Sequence, residues 1–123
     1  MKQQSVMYFT EKEEEFANLL MKIGTPRNVA KMLVFLANSS EATSRQIERG
    51  TDLRQPEVSI AIKYLAQQNW IKCRDIPSEK KGRPMKNYSL ALPIKQIITA
   101  IEKEKKDNLN NQIALVGKMR DYL

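Results

Sequence analysis

In the stretch DIPSEKKGRPMKNYSL, Asp75–Leu90, four cations (Lys80, Lys81, Arg83 and Lys86) surround one Gly and one Pro. Such a group is suited to a polyanion: lysine supplies a point charge, and arginine a planar fork of donors that fits phosphate or a narrow, negative groove. The bland alternative is a solvated turn whose charge serves solubility. A second group, Gln55, Glu57, Ser59 and Lys63, would sit on the outside of a helix, where amide, carboxylate, hydroxyl and ammonium groups can bond base edges or phosphates. Its alternative is an ordinary exposed face, since Gln55 and Glu57 also suit the start of a helix.

The rest of the chain offers little reactive chemistry. With no histidine and one cysteine, Cys73, there is no internal disulfide, no usual zinc site and no His-based acid-base or nucleophilic machinery. The acidic runs EKEEE and EKEKK read as a helix first turn and as exposed i, i+3 and i, i+4 pairs. No enzyme and no cofactor is expected. No run approaches the roughly 20 apolar residues that span a bilayer, and the amino end lacks a signal peptide's apolar stretch, so a cytoplasmic protein with no membrane partner is expected. Net charge is +7. Residues 54–91 hold eight Lys and Arg against three Asp and Glu, +5 of that total.

At 123 residues, 41% hydrophobic, the chain fits one small domain plus an appended element. Thr10 with Glu13 forms a capping pair before Phe16, Leu19, Leu20 and Ile23, predicting a helix over about 11–23 that stops at Gly24. Thr25 as N-cap and Pro26 at the first helical position open a second helix, apolar on nearly every side (Val29, Ala30, Met32, Leu33, Val34, Phe35, Leu36) and so central to the core. Thr43 and Gln46 cap a helix of barely two turns that ends at Gly50. After TDLRQ, Pro56 begins a helix with a stripe of Val58, Ala61, Ile62 and Leu65. WIKCRDI and NYSLAL alternate as two strands of a hairpin, with Trp70 in the core and Cys73 a buried, inert thiol; redox sensing would require exposure. A last helix runs from Pro93, with a polar interruption at 102–108 that leaves open a continuous helix or a break near Asn108.

A helix-turn-helix followed by a two-stranded hairpin predicts a mainly α fold with a small β-hairpin (α+β), the winged helix-turn-helix. Residues 26–95 resemble the winged-helix domains of prokaryotic transcriptional regulators in the MarR, ArsR and TrmB-like groups, especially their small archaeal relatives. The residues that carry the resemblance are ATSRQIERGTDLRQPEVSIAIKYLAQQNWIKC and KGRPMKNYSL. It implies a recognition helix at about 55–68 in the major groove of double-stranded DNA and a wing at 76–86 on the backbone or minor groove. On that reading Gln55 and Ser59 face base edges, Lys63 a phosphate, and Glu57 accepts from cytosine or repels wrong registers. Ile60 stands where relatives often carry a polar or basic residue, and meets a thymine methyl or weakens base readout. Lys80, Lys81 and Lys86 lie on phosphates and Arg83 reaches the backbone or a minor groove. Arg45 and Arg54 clamp the backbone, or pair with Glu48 and Glu57 instead.

The domain expectation is 1–24 as an N-terminal helix for packing or dimer support, 25–93 as the DNA-binding domain, and 94–123 as a dimerisation helix. Ile97, Ile98, Ile101, Leu109, Ile113, Val116 and Met119 exceed what a 70-residue domain covers, and are expected to join two copies into a homodimer, with the first helix and Val6–Phe9 as further support. The expected function is a sequence-specific transcriptional regulator, more often blocking than assisting polymerase. The alternatives are an architectural or chromatin-type DNA binder of low specificity, or a winged helix used for protein or RNA contacts.

Overall fold

The computed structural model describes residues 9–77 and 85–123. Two units are separated near Leu92, the first ending there and the second beginning at Pro93. The elements are α1 (Glu11–Lys22), α2 (Arg27–Ala37), β1 (Ala42–Thr43), α3 (Ser44–Thr51), α4 (Gln55–Gln67), β2 (Ile71–Ile76), β3 (Met85–Leu90) and α5 (Ile94–Arg120). The result is a mainly helical fold with a small antiparallel sheet, as the winged-helix pattern requires. Among the described residues, no helix is long and apolar enough to cross a membrane.

In the first unit, α1 begins with a complete capping box. Glu13 N–H donates to Thr10 Oγ1 (3.2 Å), and Thr10 N–H donates to Glu13 Oε1 (2.7 Å). It ends in a Schellman closure, in which Thr25 N–H reaches Leu20 O and Gly24 N–H reaches Met21 O, both at 3.0 Å. Gly24 takes φ 103°, which a residue with a Cβ rarely adopts. The next helix departs by one residue from expectation: Pro26 itself is the N-cap and no side chain caps α2, so Thr25 plays no capping role. Seven residues of α2 are buried, from Val29 to Leu36, because apolar side chains occupy nearly its whole circumference. It packs against α1, α3, α4 and β3.

Gly50, expected to stop α3, lies inside the helix, and the left-handed C-cap is Asp52 (φ 59°). The glycine's role is steric, since a Cβ at Gly50 would collide with the buried Phe35 ring. Thr43 and Gln46 do form the expected box, with bonds of 2.9 and 3.2 Å. The sheet has three strands rather than two, in the order β1-β3-β2. β1 lies on β3 with Ala42 opposite Tyr88, and β2 lies on β3 with Ile71 opposite Leu90 and Cys73 opposite Tyr88. The alternation in β2 correctly put Ile71 inside, but Cys73, on the same face, is exposed. Only the first residue of β2 is buried, while residues 72–75 are exposed and Ile76 is half-buried. In α4, Val58, Ala61 and Leu65 are buried and Ile62 is half-buried.

In the second unit, α5 is unbroken through Asn108. Ile97 and Ile101 are buried and Ile98 is half-buried, while Leu109, Ile113, Val116 and Met119 are exposed.

Replacing Gly50 with Ala gains up to about 1 kcal/mol of helix propensity but overpacks Phe35 at a cost of about 1–3 kcal/mol. The variant is expected to unfold at lower denaturant with an unchanged m-value, and Phe35→Leu should recover part of the loss. A Gly50→Ala protein more stable than the parent would refute the contact.

Candidate nucleic-acid interface

The outward surface begins where α3 hands over to α4. Asp52 turns the chain in the left-handed region, its N–H donating to Glu48 O at 2.9 Å, and buried Leu53 anchors the turn. The first turn of α4 is then closed by its own side chain, with Arg54 N–H donating to Glu57 Oε1 (2.9 Å). This is the acidic half of a capping box, in which a first-turn carboxylate satisfies an orphan donor and favours the helix dipole.

With Val58, Ala61 and Leu65 turned inward, helical periodicity sends Gln55, Ser59, Ile60 and Lys63 outward, and all four are exposed. Gln55 Nε2 lies 3.5 Å from Ser59 Oγ, one turn along the same face. Ile60 is 62% exposed, leaving an apolar side chain free to meet a methyl group among these polar ones. Glu57 is different. Half-buried, it divides its carboxylate between Arg54 N–H and Arg27 Nη1 (3.4 Å), so it belongs to the support of the helix more than to its outer face.

Arg45 on α3 and Arg54 before α4 are both exposed, and neither side chain is ion-paired to a described residue, so Glu48 and Glu57 do not tie them down. Lys86 is exposed on β3, opposite Asp75. Lys80, Lys81 and Arg83 lie outside the described residues. A cation that the sequence reading did not separate from the rest is Arg74, whose Nη2 donates to both carboxylate oxygens of Glu41 (2.8 and 3.0 Å). Arg74 is opposite Asn87, which is opposite Thr43, so this ion pair ties β2 across β3 to the residue just before β1. That charge is locally neutralised, which leaves Lys72 and Lys86 as the unpaired cations of the described hairpin strands.

The hairpin is tied to α4 by the end of that helix. Asn69 adopts φ 63° and closes a second Schellman motif, with Asn69 N–H on Ala66 O and Trp70 N–H on Leu65 O, both 3.0 Å. Trp70, 7% exposed, packs edge-to-face on Tyr64 at 6.4 Å, and its carbonyl accepts from Ala91 N–H (2.7 Å). Helix and hairpin are thereby joined through buried contacts, not through a free linker. The fold is a winged helix-turn-helix.

Solved structures share this winged-helix fold at low sequence identity. A MarR family transcription regulator matches with TM-score 0.54 and 18% identity over 80% of this chain and 64% of its own length, so the chain spans just under two thirds of that protein. A probable transcriptional regulator from Pseudomonas aeruginosa matches at 0.52 and 20%, over 89% of each chain. S. aureus MepR in its DNA-binding conformation matches at 0.50 and 20%, over 83% of this chain and 76% of its own. No family model and no curated protein matches the sequence. In terms of the winged helix, α4 is the second helix of the helix-turn-helix and β2–β3 are the paired strands that follow it.

Sequence reading missed the part played by α2. Arg27, Asn28 and Lys31 bond Glu57 Oε2, Glu57 O and Thr51 O respectively, at 3.4, 3.0 and 3.4 Å. Partners some 20–30 residues away leave no local pattern that could have revealed them. Among the described residues, no group of three or more His, Cys, Asp and Glu side chains is placed to hold a metal.

Burial raises the Tyr88 phenol above its ordinary value, with the Cys73 thiol opposite adding to the rise, Lys86 opposing it and Asp75 adding again. A folded pKa above the unfolded one means that stability is full below the ordinary tyrosine value and falls as pH rises through and beyond it. Absorbance titration of the folded protein should accordingly show a late tyrosine. Cys73, being exposed, should react with a thiol reagent in the folded protein within several-fold of its rate in denaturant; protection by orders of magnitude would place it in the core after all.

Proposed function

We propose that this protein is a sequence-specific DNA-binding transcriptional regulator that acts as a homodimer in the cytoplasm, more often as a repressor than as an activator. The observation that carries this reading is the outward face of α4, where Gln55, Ser59, Ile60 and Lys63 are all exposed on a helix whose opposite side is locked into the core. An α-helix fits the major groove, and amide, hydroxyl and methyl-contacting groups are the types that read base edges there. The regulators that share the fold support the same use.

In this proposal residues 25–93 are the DNA-binding module. Arg45, Arg54, Lys63, Lys80, Lys81 and Lys86 meet phosphates, which position the protein without reading sequence. Arg83 reaches the backbone or a minor groove, and Gln55, Ser59 and Ile60 carry the choice of site. Glu57 is assigned to the support of the helix before base reading, since Arg54 N–H and Arg27 Nη1 engage its carboxylate from within the chain. Dimerisation is assigned to α5, with residues 1–24 in support. Leu109, Ile113, Val116 and Met119 are 56%, 59%, 48% and 64% exposed, and their spacing places them on one stripe. Ile97 and Ile101 are already buried in one chain and Ile98 half-buried, so the pairing surface is the carboxyl-terminal half of the helix.

Selection of bound sites from random duplexes, repeated at two salt concentrations, tests the reading. The expected product is a palindrome with half-site centres about 10 base pairs apart or a multiple of that. Gln55→Ala should relax the choice at one position at a cost of about 1–3 kcal/mol, and Lys63→Ala should weaken all duplexes alike. Reversing Lys80, Lys81 and Arg83 to Glu should lower the slope of log K against log salt by about 0.9 for each phosphate that is no longer neutralised. Binding without site preference would favour the architectural alternative, and an unchanged slope would favour protein or RNA contacts.

Sedimentation of the protein, with Ile113→Glu as control, tests the dimer separately. The expected result is a dimer that the substitution converts to a folded monomer; a monomeric parent at tens of micromolar would overturn the assignment of α5.

A further inference from the structure

We propose that Arg27 and Asn28, at the start of α2, are positioning residues for the recognition helix: they hold its first turn in place and keep the Glu57 carboxylate from opposing the nucleic acid. The inference rests on the DNA-binding reading above and concerns residues that this reading does not use.

Three donors converge on Glu57. Arg54 N–H takes Oε1 at 2.9 Å, Arg27 Nη1 faces Oε2 at 3.4 Å, and Asn28 Nδ2 donates to the Glu57 backbone carbonyl at 3.0 Å. The Asn28 amide is itself oriented, because its Oδ1 accepts from Val29 N–H at 2.9 Å, which leaves Nδ2 for Glu57. Both α2 residues precede a run in which Val29, Ala30, Met32 and Leu33 are buried to within 1% of full, so the donors stand on the most deeply packed element of the unit. Lys31, one turn further along α2, donates to Thr51 O at 3.4 Å, at the end of α3. Thus one edge of α2 carries polar contacts to both sides of the helix-turn-helix turn.

Two consequences follow. A side chain-to-backbone bond in the first turn of α4 restrains the tilt of that helix at the end nearest its base-reading residues, and small tilts displace Gln55 and Ser59 relative to base edges. A free carboxylate on a helix approaching phosphates would repel them, and the Arg27 guanidinium offsets that charge at short range. The ion pair is half-exposed (51% and 41%), so it contributes little to folding, and variants at Arg27 should remain folded.

The test uses the full chain, a duplex selected by the parent protein and an unrelated duplex, both at one stated salt concentration. Arg27→Ala is expected to weaken the selected duplex about 5–10-fold and the unrelated duplex at most about 2-fold, with a melting temperature close to that of the parent. Arg27→Lys should behave nearly as the parent. Arg27→Ala combined with Glu57→Gln should recover most of the loss, since glutamine can still accept from Arg54 N–H while carrying no charge. Asn28→Ala should weaken the selected duplex without recovery by Glu57→Gln, because Asn28 acts on the backbone; in the free protein it should also speed amide exchange at Val58 several-fold.

An Arg27→Ala protein whose affinities for the two duplexes fall equally, with no recovery by Glu57→Gln, would make Arg27 a plain phosphate contact and overturn the proposal. Unchanged affinity and unchanged exchange in both variants would overturn it as well, while leaving the DNA-binding reading intact. A parent protein that selects no duplex at all would instead overturn that reading, and this one with it.

Discussion

The first unit depends on the burial of one helix, α2. Nearly its whole circumference is apolar, so neighbours must cover it from several sides, and α1, α3, α4 and β3 do so. Fully burying an aliphatic side chain of this size contributes about 1.5–3 kcal/mol, whereas the half-exposed ion pairs of this chain contribute about 0–1 kcal/mol each. Packing on α2 therefore determines where the other elements lie, and the polar contacts adjust what packing has placed. Gly50 shows how tightly the constraint acts: α3 comes close enough to Phe35 that a methyl group has no room.

From that core the chain carries a surface outward through two left-handed residues. Asp52 reverses direction between α3 and α4, and Asn69 turns the end of α4 into β2. Neither is glycine, and both belong to the small group of residues whose short polar side chains tolerate this region. Because each turn closes with backbone hydrogen bonds and a buried anchor, Leu53 in one case and Trp70 in the other, α4 and the hairpin keep a fixed relation. The proposed use of α4 on base edges and of the hairpin on phosphates requires such a fixed relation, since phosphate contacts set the register in which a helix meets the bases.

Much of this was legible in the order of residues. Helix starts at Thr10 and Thr43 were marked by capping pairs three residues apart, and the burial of α2 and of Val58, Ala61 and Leu65 by their spacing. These signals are local, depending on i, i+3 and i, i+4 neighbours or on which face a side chain takes. The errors share a different cause. Cys73 lies on the apolar face of a strand yet is exposed, because alternation assigns a face but not how far the core extends beneath it. Gly50 looked like a helix stop because its need for space comes from Phe35, fifteen residues away. The short strand β1 has only two residues, too few for a periodic pattern, and exists through its pairing with Tyr88 and Asn87.

By itself the sequence determined the helices, the hairpin, the concentration of positive charge between residues 54 and 91, and which side of α4 faces outward, since each follows from local spacing and composition. Only the tertiary structure decided which of the charged residues are held by partners distant along the chain. It committed Glu57 to Arg54 N–H and Arg27, tied Arg74 to Glu41, and left Gln55, Ser59, Ile60 and Lys63 exposed on α4. A charge is available to a partner only when no nearer group satisfies it, and for Arg27 and Arg74 the nearer group is about thirty residues away along the chain.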